Sequence, residues 1–139
     1  MKSKQTDLKH PQRFEPAGAW EDELRELALR RQQALAMGGS DALAKLHAKG
    51  HLDARQRLEL LLDKGSFQEM GCLTGKGHYD AEGQFTRLDP SNSIIGTGRM
   101  DGRKVALSAD DFSIRAGSSE ASVADKWIYI ERLAHQLRM

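Results

Sequence analysis

Apolar positions along the chain change their spacing twice, and each change marks a different kind of element. From Ala19 onward Trp20, Leu24, Leu27, Ala28, Ala34 and Leu35 recur at three-and-four intervals, which predicts an amphipathic helix. Glu21, Asp22 and Glu23 fall in its first turn, where the positive end of the helix dipole favours carboxylates. Gly38 and Gly39 end or kink it, and Ser40 is placed to cap a short continuation through Leu43 and Leu46 that Gly50 closes. Asp53-Ala54-Arg55-Gln56 has the spacing of a capping box. It opens a further helix with Leu58, Leu61 and Leu62 as the inward stripe and Leu60 on a flank. Asp63-Lys64-Gly65-Ser66 stops that helix, with Gly65 as the left-handed residue.

The spacing then shortens. Phe67 to Leu73 reads as a strand, whereas Gly71 to Gly83 holds four glycines and few apolar residues and predicts no element. The clearest β signal runs from Ser93 to Ser108, where two strand-like runs flank Asp101-Gly102. A two-residue type I′ turn needs positive φ at both central positions, and Asp-Gly meets that need. Phe112 and Ile114 predict one more short strand. The period returns to helical at Val123, Trp127, Ile130, Ala134 and Leu137, with Ser118 and Ser119 as candidate caps. The expected organisation is a mobile arm over 1–18, helices over 19–65, mostly β structure over 66–117 and a helix over 118–139. The class is therefore α/β. The last helix stays in phase up to Met139, so the chain reads as part of a longer domain.

Composition narrows the function classes. In 139 residues the formal charge is +1, with 29% charged, 39% hydrophobic and 6% aromatic residues, so any core is modest. A balance this close to neutral gives no general electrostatic grip on nucleic acid or anionic lipid. No apolar run approaches the length of a membrane span, and Met1 to His10 has no apolar segment of a secretory signal. Cys72 is the only cysteine and makes no internal disulfide, which points to a reducing, cytoplasmic setting.

Candidate chemistry is sparse. Gly96-Thr97-Gly98 with Gly102 resembles a nucleotide loop, but the third glycine comes one residue late and sits in a hairpin turn. Twisted-strand glycines are the simpler reading. His47 and His51 have a spacing that suits a helix-borne metal pair, yet Gly50 intervenes and no acidic or thiol partner recurs. Asp110 and Asp111 would point to opposite faces of a strand, so loop capping is favoured over a shared ion. Ser118 and Ser119 lack the setting of a nucleophile elbow. Gly117-Ser118-Ser119 before a helix could cradle an anion or simply cap the helix, and Arg115 beside it could meet a phosphate or stay solvated. No triad, metal cage or acid/base pair emerges.

Two ordered blocks carry a family resemblance over about Ala19 to Met139. The first is Ala54-Arg55-Gln56-Arg57, the leucine-rich turn, and Asp63-Lys64-Gly65-Ser66-Phe67. The second is Gly96-Thr97-Gly98-Arg99-Met100-Asp101-Gly102-Arg103 followed by Ala109-Asp110-Asp111-Phe112-Ser113. Together they resemble the start of the carboxyltransferase subunit, β-chain type, of biotin-dependent acyl-CoA carboxylases such as propionyl-CoA carboxylase. The resemblance implies the N-terminal part of a crotonase-like spiral of ββα units, preceded by helices. It implies transfer of a carboxyl group from carboxybiotin, held on a separate biotin carboxylase/biotin carrier subunit, to the α-carbon of an acyl-CoA. Backbone amides would stabilise the enolate, so no side-chain nucleophile is required.

The same resemblance implies a homo-oligomer, with each site shared between halves of two subunits. The oxyanion loops and the biotin-receiving half would then fall beyond these residues, and this chain alone would be inactive. Within the chain it leaves one candidate site, Ala116-Gly117-Ser118, for contact with CoA, where the family commonly has Gly-Gly-Ser. Ala116 would carry a steric cost there if φ is positive. No metal is implied. The rival expectation is a non-catalytic interaction module that uses the helix over Trp20 to Leu46 as its binding face.

Overall fold

The computed structural model describes residues 20–118 and 121–139, with nothing described for the side chains of 121–124. The arm expected over 1–18 and the Ser119 cap therefore lie outside the described residues, as does the side chain of Val123. The elements are α1 (Glu21–Leu35), α2 (Ser40–Ala48), α3 (Ala54–Leu61), β1 (Gln68–Met70), β2 (Gly75–Tyr79), β3 (Phe85–Pro90), β4 (Ser93–Met100), β5 (Arg103–Asp110), a short 3-10 turn (Arg115–Gly117) and α4 (Ala121–Leu137).

β4 is the centre. It pairs antiparallel with β1 on one side and β5 on the other, while β2 and β3 form a separate antiparallel hairpin. Side chains alternate along β4 between two covered faces, which is why both faces of this strand are apolar or small. Ile94 belongs to the cluster with Met37, Ala54 and Leu58, and Gly98 lies under Leu62, so this face meets α3. Ser93, on the other face, accepts a hydrogen bond at Oγ from the Trp127 indole of α4 at 3.0 Å. The sheet is thus sandwiched between α3 and α4, with Ile95 and Ile130 both buried.

Local sequence signals account for the joints. Asp53 caps α3 as expected: its carboxylate accepts from Gln56 N at 2.9 Å and the Gln56 side chain returns a bond to Asp53 N at 3.1 Å. Asp101 and Gly102 take φ of 51° and 78° and join β4 to β5 as predicted. The Asp63 carboxylate accepts from the backbone N–H groups of both turn residues, at 3.0 and 2.8 Å, and so ties the end of α3 to the hairpin.

Several expectations are corrected. Ser40 does not cap α2; it is the first helical residue, and Gly39 at φ 87° is the cap. Leu61 is not inward: it is 55% exposed, because α3 is short and only Leu58 and Leu62 reach the sheet. Of Phe67 to Leu73, only Gln68–Met70 pairs as a strand. Gly71 to Gly83, read as structureless, contains β2 and its turn into β3. That hairpin is fastened from outside: the Arg30 guanidinium of α1 stacks 3.9 Å from the Phe85 ring centre and donates to the Tyr79 hydroxyl at 2.8 Å. Phe112 and Ile114 form no strand, since the chain turns at Asp111. Finally, the apolar stripe of α1 is largely open, with Ala34 its one buried residue and Trp20, Leu24 and Leu35 exposed.

Candidate functional site

The segment after β5 is built by one buried carboxylate. Asp111 is 1% exposed, and its Oδ1 accepts from Ser113 N at 2.9 Å and from the Ser113 hydroxyl at 2.6 Å. This is the side-chain-to-backbone turn that Asp forms two residues on, and it breaks the strand that Phe112 and Ile114 would otherwise continue. Asp111 N donates to the Asn92 carbonyl at 2.7 Å, while Asn92 Nδ2 donates to the Ser118 carbonyl at 2.7 Å. Asn92 is also 1% exposed, so one buried residue grips both ends of the turn, the Asp111 end through its backbone carbonyl and the Ser118 end through its side-chain amide. Sequence reasoning missed it: Pro90-Ser91-Asn92-Ser93 reads as a polar turn, and nothing in it marks Asn92 as buried.

Between those anchors the backbone is left-handed at three consecutive residues, with φ of 46° at Arg115, 51° at Ala116 and 79° at Gly117. Gly117 N donates to the Ile114 carbonyl at 2.9 Å and Ser118 N to the Arg115 carbonyl at 3.0 Å. These two amides are therefore spent inside the turn, and any contact with an outside ligand goes through side chains or other groups. A Cβ at position 117 would sit 3.2 Å from the Phe112 ring. Gly117 is thus needed both for its dihedrals and for its lack of a side chain.

The expected cost at Ala116 is real, because an L-residue at φ 51° crowds its own carbonyl. Ala116→Gly should accordingly raise stability by roughly 0.5 kcal/mol, the strain relieved being partly offset by a freer unfolded chain. Chemical denaturation of the two proteins side by side reads this directly.

The turn borders a groove of about 530 Å³ between the end of α1 and β3, where Gln33, Met37, Arg87, Pro90 and Ser113 meet. Gly38 N donates to the Ser113 hydroxyl at 3.0 Å and closes one end of it. On the adjoining hairpin His78 Nε2 lies 2.6 Å from Asp89 Oδ2, with Arg87 Nε 3.1 Å from the other oxygen. The His78 hydrogen bond, helped by Arg87, holds the Asp89 carboxyl below the usual carboxylate range.

The remaining candidates do not converge. His47 pairs with Asp53 Oδ2 at 3.1 Å, and among the described residues no group of three or more ligating side chains could hold a metal. Asp110 is exposed while Asp111 is buried, so the two do not share an ion. Gly96 and Gly98 lie mid-strand against Gln68, Phe67 and Leu62, which is close packing rather than a phosphate loop.

Lys126 was not foreseen either, although it lies four residues before Ile130 on the inward stripe of α4. It is 7% exposed and donates to the Ser93 carbonyl. Burial pushes its ammonium below the usual lysine range, opposed by Glu69 and Cys72 and reinforced by Arg55. The unfolded chain then binds the proton more tightly than the folded one. Stability should climb with pH from the folded-state value up to the ordinary lysine value near 10.5 and level off above it. Lys126→Met should remove this rise, which denaturation midpoints collected across an alkaline pH series would show as a flatter profile than wild type.

Comparison with known proteins places this architecture. The carboxyl transferase domain matches residues 45–139. The chain is 36% identical over 106 residues to a propionyl-CoA carboxylase carboxyltransferase subunit from Haloferax mediterranei, covering 76% of this chain and 20% of that protein. It is also 36% identical over 115 residues to a propionyl-CoA carboxylase beta chain from Cereibacter sphaeroides, covering 83% and 22%. Among solved structures, 12S transcarboxylase, a hexameric assembly with methylmalonyl-coenzyme A and methylmalonic acid bound, superposes with a TM-score of 0.68. That match has 29% identity and covers 85% of this chain and 23% of that one. The chain spans about a fifth of the length of the curated relatives it matches. With more than half of its residues within the matched domain, this chain belongs to the carboxyl transferase domain family.

Proposed function

We propose that this chain supplies the CoA-contacting, N-terminal portion of an acyl-CoA carboxyltransferase, with Ala116, Gly117 and Ser118 as the contact segment. The observation that carries the reading is the match over residues 45–139, which takes in the whole Asp111–Ser118 turn. In this reading β4 and β5 form a stiff platform, Asn92 and Asp111 fix the turn on it, and exposed Ala116 and Ser118 face the ligand. The Ser118 hydroxyl suits a polar or phosphate group of CoA, and the Ala116 methyl suits an apolar one. A rigid platform favours affinity because little is left to be ordered on binding.

Carboxybiotin supplies the activated carboxyl group when its carrier subunit is docked. We assign that end of the reaction to residues outside these 139, along with the oxyanion groups. The reacting groups on the CoA side need preorganised dipoles rather than a nucleophile. A cytoplasmic setting, an acyl-CoA substrate, a biotin carrier partner and a homo-oligomeric parent belong to the same proposal.

The test is carboxyl transfer from a carboxybiotin-loaded carrier to propionyl-CoA. The chain alone should bind CoA and transfer nothing. Transfer by the isolated chain would overturn the assignment of the oxyanion groups to other residues, and failure to bind CoA would overturn the contact segment.

A further inference from the structure

We propose that Lys126 is an acyl-acceptor site, whose amine takes a small acyl group from an activated donor, a thioester or an acyl phosphate, and holds it in the cleft between the end of β1 and α4. This cleft has a volume of about 450 Å³, which suits a small molecule. Met70, Ile95 and Tyr129 give it apolar surface, and Gly71, Thr74 and Asp125 complete the lining around Lys126. The lysine is 7% exposed and donates to the Ser93 carbonyl. A methyl built on Gly71 would lie 3.5 Å from Lys126 Cε and 3.1 Å from Thr74 Oγ1. The bare backbone at Gly71 therefore leaves the tip of the lysine and the Thr74 hydroxyl facing one shared space.

The surroundings favour a nucleophilic amine over a fixed cation. Burial holds the ammonium below the usual lysine range, with Arg55 of α3 reinforcing the effect and Glu69 of β1 and Cys72 opposing it. Glu69 is already engaged by the Arg55 guanidinium, at 2.8 and 3.2 Å, so its charge is largely answered before it reaches Lys126. A desolvated lysine beside apolar surface is a setting in which the free amine attacks a carbonyl carbon. Here Nζ attacks the acyl carbonyl, and the C–N bond forms as the C–S or C–O bond breaks. The thiolate or phosphate leaves with the electron pair of that bond and takes up the proton that nitrogen gives up.

The product decides which electrophile fits. An amide is uncharged, so burial no longer penalises it, and its single N–H keeps the bond to Ser93. The Thr74 hydroxyl can donate to the new carbonyl oxygen, while Met70 and Ile95 offer the acyl chain apolar contact. A neutral imine from an aldehyde has no N–H to give Ser93. A carbamate from carbon dioxide would set an anion in the cleft that Asp125 already lines. This cleft shares no lining residue with the groove beside the Ala116–Ser118 turn, so the site does not rest on the CoA reading.

Acetyl-CoA and acetyl phosphate, incubated separately with the 139-residue chain at pH 7.5 and pH 10.5 and followed by peptide mass spectrometry, test this. Exposed Lys45 and Lys104 serve as internal references. At pH 7.5 one donor or both should acetylate Lys126 about tenfold faster than either reference, because a group below the usual lysine range holds more free amine there. The lead should shrink at pH 10.5, where the exposed amines are also largely free. Reaction with only one donor identifies the source of the acyl group and supports the site equally. Thr74→Val should slow acetylation of Lys126 several-fold and leave Lys45 and Lys104 unchanged. Lys126 left unmodified by both donors while the references react would overturn the proposal. So would a Lys126 reaction that needs urea, one with no lead at pH 7.5, or one indifferent to Thr74→Val.

Discussion

Gly96→Ala is expected to destabilise this protein by about 3 kcal/mol or more, enough to remove the folded state of a modest domain. A methyl at this position would overlap the Gln68 carbonyl oxygen and lie 2.6 Å from the Phe67 ring. The obstructing atom is backbone, and it belongs to β1, the strand paired with β4 in register Glu69 to Gly96. No side chain can rotate away to make room. β1 must separate from β4, and the Phe67 ring that packs against the core moves with it. Gly83→Ala is the fitting control. Gly83 has φ 79° with open space around it, so that change should cost only about 1 kcal/mol. Urea denaturation followed by circular dichroism separates the two. Equal losses would mean that conformation rather than close packing decides both positions.

Asp111→Ala should be the second large change, about 2–3 kcal/mol, with a loss of CoA binding that exceeds the loss of folded protein. Its carboxylate is buried and accepts two hydrogen bonds from Ser113. Hydrogen bonds to a charged acceptor are worth more than neutral ones, and the Ser113 N–H would be left without its partner. Among the described residues the Asp111 Oδ2 atom has no partner, so relief of that buried oxygen offsets part of the loss and keeps the expectation below the sum of two bonds. With Asp111 gone, Phe112 and Ile114 are free to prolong β5, which would pull Ala116–Ser118 out of place. The exposed neighbour offers the contrast: Asp110→Ala should change stability by less than about 0.5 kcal/mol. Calorimetric titration of CoA into both variants, corrected for the folded fraction, checks the claim.

What was legible in the sequence was local. The Asp53–Gln56 box and the Asp101-Gly102 turn need only their own three or four residues, and both form as their spacing implied. The β2–β3 hairpin was not legible, because its strands carry Gly75, Gly77 and charged residues. Its fastening comes from Arg30, 49 positions from Tyr79. The turn at Phe112 failed for a related reason: alternating apolar residues signal a strand, but a buried Asp one residue earlier overrides them. In α1 the period was read correctly, but the spacing named no covered side. The face on the domain is polar and the apolar face is open, and a moment along the helix does not say which neighbour covers it. The candidate contact segment was legible only through its family resemblance, and Asn92, which clamps it, left no mark in the pattern.

The central claim is that Ala116–Ser118 forms the CoA contact of a carboxyltransferase platform. An amide-resolved NMR titration of the 139-residue chain with CoA tests it most directly. The account predicts saturable shifts centred on residues 115–118, with Asn92 and Asp111 following and α1 unmoved. Saturable shifts that leave this turn untouched, or none at all, would contradict it.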